Sequence, residues 1–162
     1  MRILSVFTIG FVIALCSLSA RGGEKKKTDV AFDVYAKGYF VKNTAKLPGN
    51  PAFLILPDKK AYDEIFGIGF VMGAKPKLVT DKLFDKNVIV TLIKSGNTIW
   101  KYEVDSVRLD KARLVVRYTA KGKESASAKF NSPLILSVPR GEYTEVVFME
   151  GDKEAGKVAV KK

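Results

Sequence analysis

Histidine is absent from this chain of 162 residues, and cysteine occurs once, at Cys16. That inventory removes whole classes of chemistry. A Ser-His-Asp triad needs an imidazole to take the serine proton, and a Cys-His pair needs both partners. Zinc centres draw on Cys and His, as do blue-copper and iron–sulfur centres. Hydroxyl, amine and carboxylate chemistry remains, and each candidate fails on spacing or context. Serine–lysine hydrolysis uses Ser-x-x-Lys. The nearest arrangement is Ser125-Ala126-Ser127-Ala128-Lys129, inside a run of small residues that reads as a loop. Glycoside hydrolysis needs two carboxylates across a sugar cleft. Glu103 and Asp105 share one strand face and Arg113 and Arg117 share a face of the next strand, so cross-strand ion pairing accounts for all four. Asp81, Asp85 and Asn87 offer the oxygen ligands that calcium takes, without the Asp-x-Asp-x-Asp-Gly spacing. Gly67-x-Gly69-x-x-x-Gly73 follows a helical pattern and runs toward Pro76, the reverse of the strand–glycine–helix order of a nucleotide loop. The residues therefore predict no catalytic group, no cofactor and no metal.

The elements that would position any site begin after an export signal. Met1 and Arg2 precede an apolar run over residues 3–15, and Ser17, Ser19 and Ala20 lead into charged sequence. This is the three-part order of a signal peptide, and its apolar run is shorter than the roughly 20 residues of a spanning helix. Cleavage is expected after Ala20 or Gly22, leaving no stable membrane span. Lipidation of Cys16 is disfavoured because Leu15 stands where a small residue belongs. Residues 1–20 are thus read as the signal, 21–28 as a flexible basic leader, and 29–162 as a single β-rich domain. The exported product, periplasmic or secreted, has no cysteine for a disulfide and is long enough to bury a core without one.

Hydropathy alternates with the period of a half-buried strand in several places: Val30, Phe32 and Val34; Trp100, Tyr102 and Val104 against Lys101, Glu103 and Asp105; and Leu114, Val116 and Tyr118 against Arg113 and Arg117. Residues 52–56 form a short apolar run, and 87–94 are apolar on both faces, which suits a central strand. Ser95-Gly96-Asn97 predicts a hairpin. Asp58 is placed to cap a helix over 59–66, with Ala61, Tyr62, Ile65 and Phe66 at helical spacing and Gly67 at its stop. Residues 67–82 read as a long connection, 121–129 as a polar loop, and 151–156 as a turn between the strands at 144–149 and 157–160. The expectation is a mainly β domain, an antiparallel β-sandwich or partly open barrel with one short α-helix.

From Ala52 onward the order of features resembles the C-terminal domain of the PrcB-like protease-complex stabilising subunits. Tyr62-Asp63-Glu64-Ile65-Phe66 is similar to that family's short helix ending in an aromatic residue. The stretch from Asp81 through Leu83-Phe84-Asp85 to Val88-Ile89-Val90 is similar to its acidic-plus-Phe segment and apolar strand. Ser132-Pro133, the apolar run 134–136 and Val138-Pro139-Arg140 resemble its Ser/Thr-Pro and Val-Pro-basic pattern. The family's Gly-Gly-Tyr strand is replaced by Thr98-Ile99-Trp100. The resemblance implies an exported β protein that binds and stabilises a partner protein, such as an exported protease, and it supplies no catalytic residue.

Two binding surfaces follow. Phe70, Val71 and Met72 form an apolar, glycine-flanked stretch that reads as a partner-binding tip, with Trp100 and Tyr102 as aromatic anchors. The formal charge of +11 favours anionic partners, and Arg108, Lys111, Arg113 and Arg117 are the candidates for an anionic polymer or membrane surface. Export argues against nucleic acid.

Overall fold

The computed structural model describes residues 28–35, 37–69 and 77–160. The expected signal, the leader up to residue 27, and Phe70, Val71 and Met72 lie outside the described residues. The described chain is mainly β, consistent with a β-sandwich, with one α-helix. Eleven strands are described: β1 (Thr28–Asp29), β2 (Asp33–Val34), β3 (Tyr39–Val41), β4 (Ala52–Leu56), β5 (Phe66–Ile68), β6 (Asn87–Gly96), β7 (Thr98–Asp110), β8 (Arg113–Glu124), β9 (Phe130–Pro139), β10 (Glu145–Glu150) and β11 (Lys153–Ala159). The helix α1 is Lys59–Ile65.

A five-stranded sheet has the order β1-β7-β8-β10-β11, and a four-stranded sheet has the order β2-β9-β6-β4. A ribbon of β3 and β5 stands apart. Every pairing is antiparallel except β8 with β10, which is parallel.

The two-sided apolarity of β6 has a direct cause. Val88, Val90 and Leu92 face the five-stranded sheet, where they meet Leu114, Val116, Tyr118, Val146 and Phe148. Ile89 and Ile93 face the other way, onto Tyr62 and Ile65 of α1, Phe66, Val41 and Phe84. The four-stranded sheet is therefore the middle of three layers. Fully burying each such side chain contributes about 1.5–3 kcal/mol. Two apolar clusters of this kind explain how the domain holds without a disulfide.

The helix starts as its sequence predicts. Asp58 is extended, at φ −147° and ψ 170°, and its carboxylate accepts a hydrogen bond from the Ala61 amide at 2.7 Å. The helix ends one residue early, and Gly67 does not cap it. Phe66 is already extended, and Gly67 pairs with Phe40 in the β3–β5 ribbon. The Phe40 ring lies across Gly67, where a Cβ would meet it at 2.6 Å.

Four further expectations are corrected. Of the alternating stretch from Val30, only Asp33 and Val34 form a strand, β2, which pairs with β9, while β1 precedes the stretch and pairs with β7. Phe32 and Val34 stay exposed while Tyr35 is buried. Ser95-Gly96-Asn97 is not a hairpin, because β6 and β7 belong to different sheets. Gly96, at φ 148°, turns the chain from one layer to the next. Residues 121–124 are the end of β8 rather than a loop, and 153–156 belong to β11 rather than to a turn.

Candidate functional site

Trp100 and Tyr102 lie on the inner face of β7. The Tyr102 hydroxyl donates to the Ser132 carbonyl at 2.9 Å, and its ring meets Tyr118 edge-on at 5.9 Å. The Lys94 ammonium sits 4.1 Å from the Trp100 ring centroid and 2.7 Å from the Glu150 carboxylate. Glu150 also accepts from the Tyr118 hydroxyl at 3.3 Å. Burial pushes the Tyr102 and Tyr118 hydroxyls well above the ordinary range, and the Glu150 charge adds to it. The Tyr102 and Tyr118 hydroxyls and the Lys94 ammonium thus have internal partners, and Trp100 and Tyr102 are both partly buried.

The arginines are brought together on the outer face of the five-stranded sheet. Arg108 stands opposite Val115, and Arg113 and Arg117 flank Val115 on the same face. With Val147 and Met149 they line a shallow groove of about 290 Å³. Each has a carboxylate: Arg108 with Asp29 at 2.7 Å, Arg113 with Asp110 at 3.5 Å, and Arg117 with Asp152 at 2.5 Å. The expected pairing of Arg113 and Arg117 with Glu103 and Asp105 is thus replaced. A bulge between Val104 and Ser106 shifts the register, so Arg117 faces Ser106 and Arg113 faces Asp110. Lys111 is in the β7–β8 turn at φ 59°. Among the described residues, charge without an ion-pair partner lies instead at the far end of that hairpin. Lys101 stands directly opposite Lys121, and Lys123 opposite the exposed Ile99.

A larger concavity lies elsewhere. Among the described residues, β4 and β11 are edge strands of their sheets with no further strand beside them. They lie on the same side of the sandwich, across a cleft of about 750 Å³. Phe53, Ile55, Val88, Tyr143, Val158 and Val160 make its lining mainly apolar, and Pro48, Pro51 and Pro57 frame β4. The Phe53 ring reaches across to Gly156 of β11 and to Phe148 at 5.1 Å. At one end, Arg140 donates through Nε to the Phe84 carbonyl at 3.1 Å and through Nη2 to the Pro57 carbonyl. Beside it the Tyr143 hydroxyl donates to the Pro139 carbonyl at 3.2 Å, and burial raises its pKa while Arg140 opposes the rise.

Sequence reasoning missed this cleft. Its residues come from 48–57, residue 88, 140–143 and 157–160, and none belongs to a chemical motif. The available clues were the clustering of Pro48, Pro51 and Pro57 around an apolar run and the Val-Pro-basic pattern that ends at Arg140. Comparison with protein-family models, curated proteins and solved structures finds no match for this chain.

Proposed function

We propose that this chain is an exported, non-enzymatic binding module that captures an extended apolar segment of a partner protein between the edges of β4 and β11. One observation carries the reading. The edge strands of both main sheets meet across an apolar cleft of about 750 Å³. An extended segment pairs with a strand edge through its main chain and sets alternate side chains into pockets. Pro51 and Pro57 bound β4, so such pairing is limited to a short stretch, which protects the edge from indiscriminate pairing. The carboxylates that sequence offered for hydrolysis, Glu103 and Asp105, are exposed side chains of β7 away from the cleft. An exported protease is a partner class consistent with the family resemblance, and stabilising it is the corresponding role.

Site-specific photocrosslinking in the native envelope tests the reading. A photoreactive side chain at Ala159, in the cleft, is expected to capture one contiguous segment of one protein. The same group at Glu103 is the control. Equal, scattered capture from both positions contradicts the proposal.

A second reading, binding of an anionic polymer or surface, is favoured by the facing Lys101 and Lys121. Neither has a carboxylate within 4.0 Å among the described residues. Heparin is a convenient probe. Retention should fall steeply with salt and be lost in Lys101→Glu/Lys121→Glu, but not in Arg108→Ala. Salt-insensitive retention, or loss with Arg108→Ala, counts against it.

A further inference from the structure

We infer that the segment taken by the cleft ends in a free C-terminal carboxylate, and that Arg140 receives it. This rests on the cleft reading and adds the chemistry of its occupant.

The described residues hold four arginines, Arg108, Arg113, Arg117 and Arg140. The first three are paired with Asp29, Asp110 and Asp152. Arg140 has no carboxylate within 4.0 Å among the described residues, and it is the arginine that lines the cleft. It is nevertheless held in place. Its main-chain N–H donates to the Lys86 carbonyl at 2.9 Å, and its guanidinium to the Phe84 and Pro57 carbonyls. Carbonyls fix the direction of a guanidinium without neutralising it. An arginine has five N–H donors, so a pre-positioned cationic fork remains available for an anion. A carboxylate matches that fork in geometry and charge.

The rest of the cleft selects what the carboxylate is attached to. The lining is mainly apolar, and it lies between two strand edges whose main-chain groups suit a peptide. The position of Arg140 selects a chain end. It bonds to Pro57, the residue immediately after β4. Proline has no N–H to offer an added strand, so pairing along β4 stops where Arg140 begins. A segment that terminates there places its own C-terminus at the guanidinium.

The test uses the exported full-length product and a fluorescein-labelled heptapeptide of alternating threonine and valine, as the free acid and as the C-terminal amide. Binding is read by anisotropy, with laurate as a lipid-type competitor. The acid is expected to bind at least about tenfold more tightly than the amide. Arg140→Gln should bring the acid down to the level of the amide and leave the amide unchanged, and Ala159→Trp should weaken both. Equal affinity for acid and amide in the unaltered protein overturns the carboxylate inference while leaving the cleft reading in place, provided Ala159→Trp still weakens both. No binding of either peptide, with or without binding of laurate, overturns both. The acid–amide comparison needs no variant, so loss of folding in Arg140→Gln does not shelter the inference.

Discussion

Gly156→Ala sets two opposing effects against each other beneath Phe53, a residue that lines the cleft. Gly156 pairs with Phe148 in the β10–β11 ladder, and the Phe53 ring from the other sheet lies over it. Replacing glycine by alanine in an extended strand removes unfolded-state freedom worth about 0.4–1 kcal/mol. Against this, a Cβ at position 156 would sit 2.3, 2.6 and 2.7 Å from three atoms of the ring, where ordinary contact begins at 3.4 Å. The ring must withdraw by roughly an ångström and give up part of its contact with Phe148, and such overpacking costs about 1–3 kcal/mol. The clash wins, so the variant should lose about 1–2 kcal/mol. For a domain of this size that lowers Tm by about 3–7 °C. Phe53→Leu removes the offending ring atoms. In urea denaturation the double variant should therefore be less unstable than the sum of the singles, with a coupling of about 1 kcal/mol. The displaced ring has only the cleft to enter, so peptide binding should weaken in Gly156→Ala as well. A neutral or stabilised Gly156→Ala, or strict additivity with Phe53→Leu, would refute the assigned packing between the two edges.

Thr91→Val should stabilise the fold by about 1 kcal/mol in urea denaturation. The Thr91 hydroxyl is fully buried at the centre of β6 without a hydrogen-bond partner among the described residues, and replacing it by an isosteric methyl removes that cost; a destabilised variant would reveal a partner for the hydroxyl. Lys101→Glu should stabilise by about 0.2–1 kcal/mol, because it turns the repulsive pair with Lys121 into an attractive one. The gain should shrink in high salt, and a salt-independent change contradicts the charge argument. Burial raises the pKa of all six tyrosines above the ordinary 10.0. The folded state then holds these protons more tightly than the unfolded state, so their contribution is complete below about pH 10 and is lost as pH rises beyond it. Tyrosinate absorbance should appear together with loss of far-ultraviolet circular dichroism; ionisation near pH 10 with the fold intact would contradict the burial.

The parts of the fold legible in the sequence were those set by local physics. Asp58 announces α1 because a carboxylate there satisfies a free amide of the first turn, whatever lies around it. β6 announces a central strand because residues covered on both faces have no polar side to show. The failures all concern partners distant in the chain. Period two in residues 30–35 signals a strand, and only Asp33 and Val34 of that stretch form one. It cannot reveal that strand pairing there is confined to Asp33 and Val34, on β9, while the preceding Thr28 and Asp29 pair with β7, nor that Phe32 and Val34 stay exposed. The Ser95-Gly96-Asn97 turn carries the composition of a hairpin, yet turn chemistry specifies only a reversal and not which sheet receives the next strand. The charged residues were misassigned for a related reason. A one-residue bulge at Asp105 slides β7 past β8, and no composition rule places it.

The cleft itself depends on one such distant decision. After β9 the chain does not fold back as a hairpin. It crosses through residues 140–144 to the other sheet, where β10 lies parallel to β8. That crossing makes β11 an edge strand on the side of β4. Had β10 paired beside β9, it would have taken the place that β2 or β6 occupies, and no edge of the five-stranded sheet would face β4. The crossing is fastened by the Tyr143 ring, buried in the core between the sheets, by the Thr144 amide on the Ala112 carbonyl at 2.8 Å, and by the two side-chain bonds of Arg140. The segment that creates the cleft is thus the segment that carries the one arginine with no carboxylate within 4.0 Å among the described residues. A site made this way has no sequence motif, because the features that build it are the ordinary requirements of a crossover: a buried aromatic, satisfied main-chain groups and a residue long enough to reach them. Arginine meets the last requirement with donors to spare, and on the proposed reading those spare donors are what would make the gap between the two sheets a binding cleft.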